Sequence, residues 1–407
     1  MKWSEPTSVD TTPSLSIAVK VWQRNGLKSS SCRMYVRWVK RYQVDCAQVG
    51  CEPVPCLTRE QVQVFARRCA RRRRLDVDEA TQQACRALRA WAWALKILGQ
   101  TVPEWSTPRV AAPPTRPLLR EFVAFRRSLR GVSPASSRQE VRHVEGWLRF
   151  VRSRGCSLRK VRLREVDAYV IQQRRKLAPA TVASLGNSLR AFLRFLHATG
   201  RLPVDLASSL QVPLRGQEHL PRALPWPEVQ RLVRSVDRRT RTGLRNHALL
   251  LMMSAYGMGA AEVLGLKLED VDWVARTLVI RRPKTGTTML LPLLPSVARA
   301  LAHYLHEARP SDAACRAVYL RQPIPPGPLT TSAIGSIVRR QARRAGITAT
   351  YVGGHVLRHS HACRQVDQQA PLKVISDILG HQNPESTSVY ARVALKRLRG
   401  IALPVPR

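Results

Sequence analysis

The stretch GGHVLRHSHACRQVDQQAPLKVISDILGHQNPESTSVYARV, residues 353–393, carries four side chains suited to chemistry on a phosphate group. His355 is followed three residues later by Arg358, His381 comes directly after a glycine, and Tyr390 lies nine residues beyond His381. A tyrosine phenol can attack a phosphodiester and store the bond as an ester. Arginine offers fixed donors to the phosphate oxygens that gather charge in the transition state. The residue types in this stretch therefore suit chemistry on a phosphodiester.

The charge balance of the whole chain indicates a polyanionic partner. The 407 residues include 68 Lys and Arg against 27 Asp and Glu, a formal net charge of +41. Basic residues occur in every third of the sequence, so no single tail carries the excess. Such a protein repels itself unless a polyanion neutralises it, and we expect double-stranded DNA, bound first through its phosphates. A ribosomal-type structural protein and a binder of acidic membranes are the alternatives.

Cysteine usage and hydropathy predict a cytoplasmic protein. The nine cysteines are an odd number, and the N-terminal residues MKWSEPTSVD lack an apolar signal segment. No apolar run approaches the roughly 18 residues of a membrane span, so no membrane partner is expected. A reducing compartment with free thiols fits this pattern. Cys46, Cys51 and Cys56 lack the close pairing of a zinc knuckle, and we expect neither a metal nor a cofactor.

Two proline-rich stretches divide the chain. They lie at 102–116 and 212–226, where proline disfavours helix in the residues before it. We therefore predict three domains, at 1–110, 116–206 and 221–407.

The middle segment has the periodicity of amphipathic helices. One apolar face follows a proposed Ser136/Ser137 cap, and a later helix stops at Gly200. Arginines occupy the opposite faces, where a solvated charged surface is the alternative to contact with the DNA backbone. The apolar positions are Val141, Val144, Leu148 and Val151, then Leu185, Leu189, Phe192, Leu193 and Leu196.

The first hundred residues resemble a degenerate copy of the middle segment. An apolar stripe follows the serines at 29–31, and a second stops at Gly99, much as the middle segment stops at Gly200. The acidic turn at 57–62, LTREQV, matches LREV at 163–166. The stripes are Tyr35, Trp38, Val39 and Tyr42, then Leu88, Trp91, Leu95 and Leu98.

Several arginines are candidates for gripping phosphates. The run ARRCARRRR at 66–74 is a dense basic patch, for which a solvated loop is the alternative. The candidate DNA-binding residues are Arg71, Arg72, Arg73, Arg142, Arg149 and Arg190.

The last segment changes pattern. Helices are predicted at 227–236 and 244–256, the second one buried. Two β-rich runs, at 277–282 and 287–291, flank the turn PKTG and predict an antiparallel hairpin. The rest of the segment is predicted to be helical.

Together these motifs resemble the tyrosine recombinase, or phage integrase, family. The family's signature is H-x-x-R, then about twenty residues, L-G-H, and a tyrosine nine positions on, which residues 353–393 reproduce. LLLMMSAYGMGAAEVLGLKLEDVDW at 249–273 looks like the family's first catalytic box, and Lys284 in the hairpin turn looks like its β-hairpin lysine. The resemblance covers 221–407, extends more weakly over 116–206, and leaves the first hundred residues outside.

The resemblance implies a fold and a reaction. The fold is mostly helical with a small antiparallel sheet: helical core-binding (SAM-like) domains followed by a mixed α/β catalytic domain. The reaction is site-specific recombination or integration through a 3′-phosphotyrosyl intermediate, without metal or ATP, in a protein of a mobile element. A homotetramer on DNA, with possible sister recombinases, is also implied. A relaxing activity like that of type IB topoisomerases is a remote alternative.

The resemblance also implies roles for individual residues. Tyr390 would be the nucleophile, and Arg358 would hold the phosphate oxygens. His355 and His381 would add hydrogen bonds, with His355 able to help move the tyrosine proton. Lys284 would protonate the leaving 5′-oxygen.

One residue departs from the family pattern. Gly259 stands where the first box normally has an arginine, although Glu262 is in place. Loss of one charged donor costs about two to three powers of ten in rate. Three explanations are open: Arg241 or Arg245 reaches the phosphate, a partner subunit supplies the charge, or the protein is an accessory homologue that binds DNA and cuts it weakly.

The tail after Tyr390 is expected to dock on a neighbouring subunit.

Overall fold

The computed structural model describes residues 13–105, 116–130, 132, 134–211, 222–322, 324–349, 352–380 and 385–391. The chain divides into two compact units, one formed by Met1–Ser106 with Leu220–Arg407 and the other by Thr107–His219. Helices dominate the described residues, and the strands are short and antiparallel. The predicted fold class is confirmed. No described helix is both long enough and apolar enough to span a membrane.

The N-terminal part of the first unit is a helical bundle. The predicted stripe of Tyr35, Trp38, Val39 and Tyr42 is buried in its core. Leu98 lies beyond the last helix as its C-cap and is exposed, so its place in the second stripe was wrong. The helices are α1 (Pro13–Arg24), α2 (Ser29–Val49), α3 (Arg59–Arg73) and α4 (Val77–Ile97).

The run at 57–62 begins a helix, so its prediction as a turn was wrong. The Thr58 hydroxyl accepts a hydrogen bond from the backbone N–H of Gln61 at 3.3 Å and caps α3. The helix then continues through the arginine run at 66–74 and ends there, with Arg74 in the left-handed conformation. The basic patch is therefore the last turns of a helix, which fixes the directions of its arginines.

Within the first unit, the N-terminal bundle packs on the C-terminal segment. The Asn25 side chain donates a 2.7 Å hydrogen bond to the Asp312 carboxylate, which also lies 3.9 Å from the Arg24 guanidinium. Arg241 donates to the backbone carbonyl of Arg24 at 3.2 Å. Ile324 is buried in the core of the bundle itself. Polar and apolar contacts thus join the two parts.

The second unit is a helical bundle with a hydrophobic core of its own. Its aromatic core holds Phe122, Trp147, Phe192 and Phe195, all buried. The predicted Ser136/Ser137 cap was wrong, because the helix that contains them begins at Pro134. The helices are α5 (Pro117–Arg130), α6 (Pro134–Ser153), α7 (Leu163–Arg174), α8 (Pro179–Ala198) and the short α9 (Leu206–Ser209).

The C-terminal segment packs helices around a small sheet. The predicted hairpin is confirmed, with Thr277 opposite Pro292 and Arg281 opposite Thr288 in antiparallel register. The helices predicted at 227–236 and 244–256 are present with shifted ends. The helices are α10 (Trp226–Arg234), α11 (Arg241–Tyr256), α12 (Ala260–Gly265), α13 (Pro295–Glu307), α14 (Thr331–Arg344), α15 (Val356–Asp367), α16 (Leu372–Leu379) and α17 (Glu385–Ala391). The strands are β1 (Val271–Asp272), β2 (Thr277–Arg281), β3 (Thr288–Pro292), β4 (Leu320–Arg321) and β5 (Gly327–Pro328).

Replacement of Phe192 by alanine should destabilise the second unit. The ring of Phe192 lies 5.1 Å from that of Phe122 and 6.1 Å from that of Trp147, centroid to centroid. Removing a buried aromatic ring leaves a cavity and costs about 3–5 kcal/mol of unfolding free energy. Thermal unfolding of the full chain should show an early transition, whereas Arg194→Ala, at an exposed position of α8, should leave it in place. An unchanged profile for Phe192→Ala would contradict the packing.

Candidate active site

Tyr390 lies on α17 and is buried. Its side chain is 2 % exposed and packs with Ala362, Ile375 and Leu379, which come from α15 and α16. The Tyr390 hydroxyl and Nδ1 of His359 are 2.8 Å apart, within hydrogen-bonding distance. Burial raises the pKa of Tyr390 to about 12, and the positive charge of Arg358 partly opposes that rise. The phenol is therefore held neutral beside an imidazole and an arginine.

Arg358 is held by three acceptors from separate elements. Nη1 donates to the carbonyl of Gly257 and to Oε2 of Glu262, both at 3.1 Å, and Nη2 donates to the carbonyl of Leu379. The guanidinium is mostly buried, with 13 % of its side chain exposed. Rigid acceptors on several sides fix its plane, as a group that must present donors to a phosphate requires.

Glu262 links Arg358 to the position of the unexpected glycine. The backbone N–H of Gly259 donates to Oε2 of Glu262 at 2.8 Å, the same oxygen that accepts from Arg358. A Cβ atom added at Gly259 would lie 3.7 Å from Nη1 of Arg358 and from Oε2 of Glu262. Gly259 therefore lies beside the arginine–glutamate pair, where an arginine side chain would begin.

The other predicted catalytic residues have different surroundings. His355 is exposed at the N-terminus of α15, and its ring centroid lies 6.4 Å from that of His359. Lys284 is exposed in the turn between β2 and β3. His381 lies outside the described residues, as does the tail after Ala391.

His359 is a residue of this site that the sequence analysis did not single out. His359 follows His355 by one helical turn, a signal that would place both rings on one face of α15. His361 is buried, and its Nδ1 lies 3.0 Å from the carbonyl of Ser254. His359 reaches Tyr390, whereas His361 packs within the core.

Arg282 is a second arginine at this site that sequence reasoning did not single out. Its Nε lies 3.9 Å from Oε1 of Glu262. Nη1 and Nη2 donate to the carbonyls of Asp377 and Ile378 at 3.0 and 2.5 Å. The alternation of side chains along a strand could have indicated it. Leu278, Ile280 and Arg282 occupy every second position, so they share one face of the hairpin, and all three are buried.

The two arginines proposed to replace the first-box arginine do not reach Glu262. The Arg245 guanidinium is buried and donates to Oδ1 of Asn246 and to the carbonyl of Leu320. Arg241 donates to the carbonyls of Arg24 and Glu307. Both side chains bind structural acceptors instead.

The candidate DNA-binding arginines divide into two groups. Arg71, Arg72 and Arg73 are exposed at the end of α3, and Arg142 and Arg149 are exposed on α6. Arg72 also lies 3.8 Å from the Asp45 carboxylate.

Arg190 differs from these, because it is half-buried and its Nη2 donates to the carbonyl of Leu210 at 2.6 Å. Its guanidinium is therefore already engaged within the second unit.

Comparison with known proteins identifies the family. The model of the phage integrase family matches residues 223–397. The integrase/recombinase y4rA of Sinorhizobium fredii is 35% identical over 289 residues, which are 70% of each chain. The tyrosine recombinase XerD of Mycobacterium leprae is 32% identical over 270 residues, which are 60% of this chain and 82% of the relative. The chain belongs to the phage integrase family of tyrosine recombinases.

Solved structures agree with this at the level of fold. The integrase of the Tn1549 transposon, in complex with transposon right end DNA, matches with a TM-score of 0.54 at 16% identity, over 69% of this chain and 99% of that one. A lambda integrase dimer bound to a COC′ core site matches with a TM-score of 0.52 at 15% identity, over 67% of this chain and 93% of that one. The fold of this tyrosine recombinase is thus that of known integrases.

The phenol of Tyr390 should resist ionisation in the DNA-free recombinase. At pH 10, where an ordinary phenol is about half ionised, about one per cent of Tyr390 should be phenolate. Nuclear magnetic resonance of protein labelled at tyrosine Cζ would follow this, with the signal assigned through Tyr390→Phe. Replacement of Arg358 by glutamine should raise the pKa further, because a nearby positive charge is removed. A titration midpoint near 10 in the unsubstituted protein would contradict the burial of the phenol.

Proposed function

We propose that this tyrosine recombinase cuts and rejoins DNA at specific sites through an ester between the Tyr390 oxygen and a 3′-phosphate. The hydrogen bond of 2.8 Å between the Tyr390 hydroxyl and His359, in a pocket that also holds Arg358, is the observation that carries this proposal. The phenol oxygen attacks the phosphorus, the bond to the 5′-oxygen breaks, and a 5′-hydroxyl leaves. Attack by another strand's 5′-hydroxyl reverses the step and releases Tyr390.

The proton of Tyr390 passes to a neighbouring imidazole in this proposal. In the tautomer protonated at Nε2, His359 accepts the phenolic hydrogen at Nδ1. His355 was expected to help move this proton, but its ring lies one helical turn away and is exposed. We therefore assign proton acceptance to His359 and keep His355 as a hydrogen-bond donor to the bound phosphate.

The leaving oxygen needs a proton, and Lys284 is proposed to supply it. An exposed lysine at the tip of a hairpin can enter a DNA groove and approach the 5′-oxygen. His381 is proposed to donate to a non-bridging oxygen with Arg358. No metal ion and no ATP enter the reaction in this proposal, because the ester conserves the bond energy.

The helical segments are proposed to be two copies of one DNA-binding module, at 1–110 and 116–206, ahead of a catalytic domain at 221–407. The long helices support this, since α1 to α4 have 12, 21, 15 and 21 residues and α5 to α8 have 14, 20, 12 and 20. Arg37 on α2 and Arg142 on α6 are both exposed, each eight residues after its helix begins.

The assembly is proposed from the chemistry of strand exchange. Two duplexes each receive two cuts, so four nucleophiles are needed, and a homotetramer on DNA supplies them. The apolar tail after Tyr390 is proposed to dock on the neighbouring subunit. The element served is proposed to be a bacterial mobile element, acting in the cytoplasm with or without sister recombinases, because a matched integrase belongs to a transposon.

A DNA substrate that traps the covalent intermediate tests the reaction. A nick near the cleavage site lets the short 5′-hydroxyl fragment diffuse away, so the ester accumulates on the protein. Wild-type protein should form a covalent adduct, which Tyr390→Phe should abolish without loss of DNA affinity. Arg358→Gln should slow adduct formation about a hundredfold or more.

Two outcomes would contradict the proposal. An adduct that persists in Tyr390→Phe would mean another nucleophile. No adduct with wild-type protein, together with one formed by Gly259→Arg, would favour the accessory role in which the chain binds DNA and depends on active partners for cleavage.

The basic end of α3 should contribute to DNA affinity through phosphate contacts. Replacement of Arg71, Arg72 and Arg73 by glutamine should lower the slope of log affinity against log salt by up to about three, since each phosphate contact contributes roughly one unit. The triple lysine variant keeps the charge and should keep the slope. Equal slopes in the glutamine and lysine variants would mean that these arginines are only solvated.

A further inference from the structure

The candidate active site lacks one positive charge at the position of Gly259. Gly259 provides no side chain where the family has an arginine. The negative charge of Glu262 is nevertheless present, and its carboxylate accepts from the backbone N–H of Gly259. Arg358 alone beside Glu262 would leave the pair with no net positive charge. A phosphate in the transition state gathers negative charge, so a pocket that is neutral at this point would stabilise it poorly.

Arg282 lies on the other side of the same carboxylate. Oε2 of Glu262 accepts from Arg358 and Gly259, whereas Oε1 faces Nε of Arg282 at 3.9 Å. Nε of Arg282 is buried and makes no hydrogen bond among the residues that the structure describes. Arg282 therefore brings a second buried guanidinium to Glu262.

The position of Arg282 is fixed by the hairpin and by α16. Its backbone N–H donates to the carbonyl of Thr287 at 2.9 Å, which sets where the side chain leaves β2. Its side chain is 9 % exposed and crosses the end of α16, where it binds the carbonyls of Asp377 and Ile378. A Cβ atom at Gly380 would lie only 2.0 Å from Nη1, so the guanidinium passes directly over that glycine.

We propose that Arg282 takes over the electrostatic role of the missing first-box arginine and positions the Glu262–Arg358 pair for the scissile phosphate. This inference rests on the proposed function. Two arginines against one carboxylate give the cluster a net positive charge, as an arginine at position 259 would. The hairpin delivers Arg282 from one side of Glu262, and the empty position at 259 lies on the other.

The geometry also predicts that the two arginine positions are interchangeable. Gly259 has φ of −73°, which any residue can adopt, and a Cβ atom there meets only ordinary contacts at 3.7 Å or more. The side chain of an arginine introduced at 259 can therefore extend towards Glu262 without moving the backbone. Gly259→Arg should then compensate for the loss of Arg282.

The experiment measures covalent adduct formation with the trapping DNA substrate described above, using full-length protein. Arg282→Gln should slow the reaction about a hundredfold to a thousandfold. The double variant Arg282→Gln with Gly259→Arg should recover at least tenfold. Arg299→Gln removes one positive charge from an exposed position of α13 and should react as wild type does.

A second substrate separates charge from structure. Replacing one non-bridging oxygen of the scissile phosphate by a methyl group yields a methylphosphonate, whose transition state carries one negative charge less. Arg282→Gln should therefore be impaired less than tenfold on this substrate. A purely structural role would slow both substrates equally and would not be rescued by Gly259→Arg.

Two results would contradict the role proposed for Arg282. Full activity of Arg282→Gln, or equal defects on both substrates without rescue, would overturn it. Should Arg282→Gln fold poorly in thermal unfolding, Arg282→Lys keeps the charge and must then retain most of the rate. Absence of adduct in wild-type protein would count against the proposed function itself. The comparison of wild-type protein with Tyr390→Phe tests that function separately from the role of Arg282.

Discussion

The ion pair of the Glu262 carboxylate with Arg358 is the interaction on which the candidate active site depends. Buried charges are stable only when they are paired and hydrogen-bonded, and removing one partner of such a pair costs about 3–5 kcal/mol. Glu262 meets this condition through Arg358, the backbone N–H of Gly259 and the nearby Nε of Arg282. These groups come from α15, the start of α12 and the end of β2, so a single carboxylate holds three elements of the catalytic segment together.

The C-terminus of α16 complements that carboxylate. The last carbonyls of a helix lack intrahelical partners and carry partial negative charge. Arg282 takes two of them, at Asp377 and Ile378, and Arg358 takes the carbonyl of Leu379. The helix then ends at Gly380, whose φ of +66° allows the chain to turn. Two guanidiniums thus satisfy one carboxylate and one helix end, which explains how two like charges are buried close together.

The candidate residues that the sequence offered were found through the family resemblance, whose motifs are local in the chain. His355 and Arg358 are one helical turn apart, and Lys284 lies in a turn that proline and glycine indicate. Arg282 could not be recognised this way, because its partners lie 95 and 96 residues away and its position depends on tertiary packing. The hydrogen bond between His359 and Tyr390 likewise joins two helices.

The fold shows the same division between local and distant signals. Apolar stripes predicted α2, α4, α6 and α8, and two β-rich runs that flank the turn PKTG predicted the β2–β3 hairpin. Helix α3 was misread because its arginine run weakens the apolar periodicity, although Thr58 is a standard cap. The hydrogen bond between Asn25 and Asp312 joins residues 287 positions apart, which a local sequence pattern does not predict.

The buried phenol limits how the reaction can begin. With a pKa of about 12, ionising Tyr390 at neutral pH would cost on the order of 7 kcal/mol before any bond forms. A phosphate brought to Arg358 adds negative charge and makes a free phenolate less favourable still. In the proposed reaction, proton loss therefore accompanies attack, and a group already in contact receives the proton. The Nδ1 atom of His359, 2.8 Å from the hydroxyl, is placed to be that group in the proposed reaction.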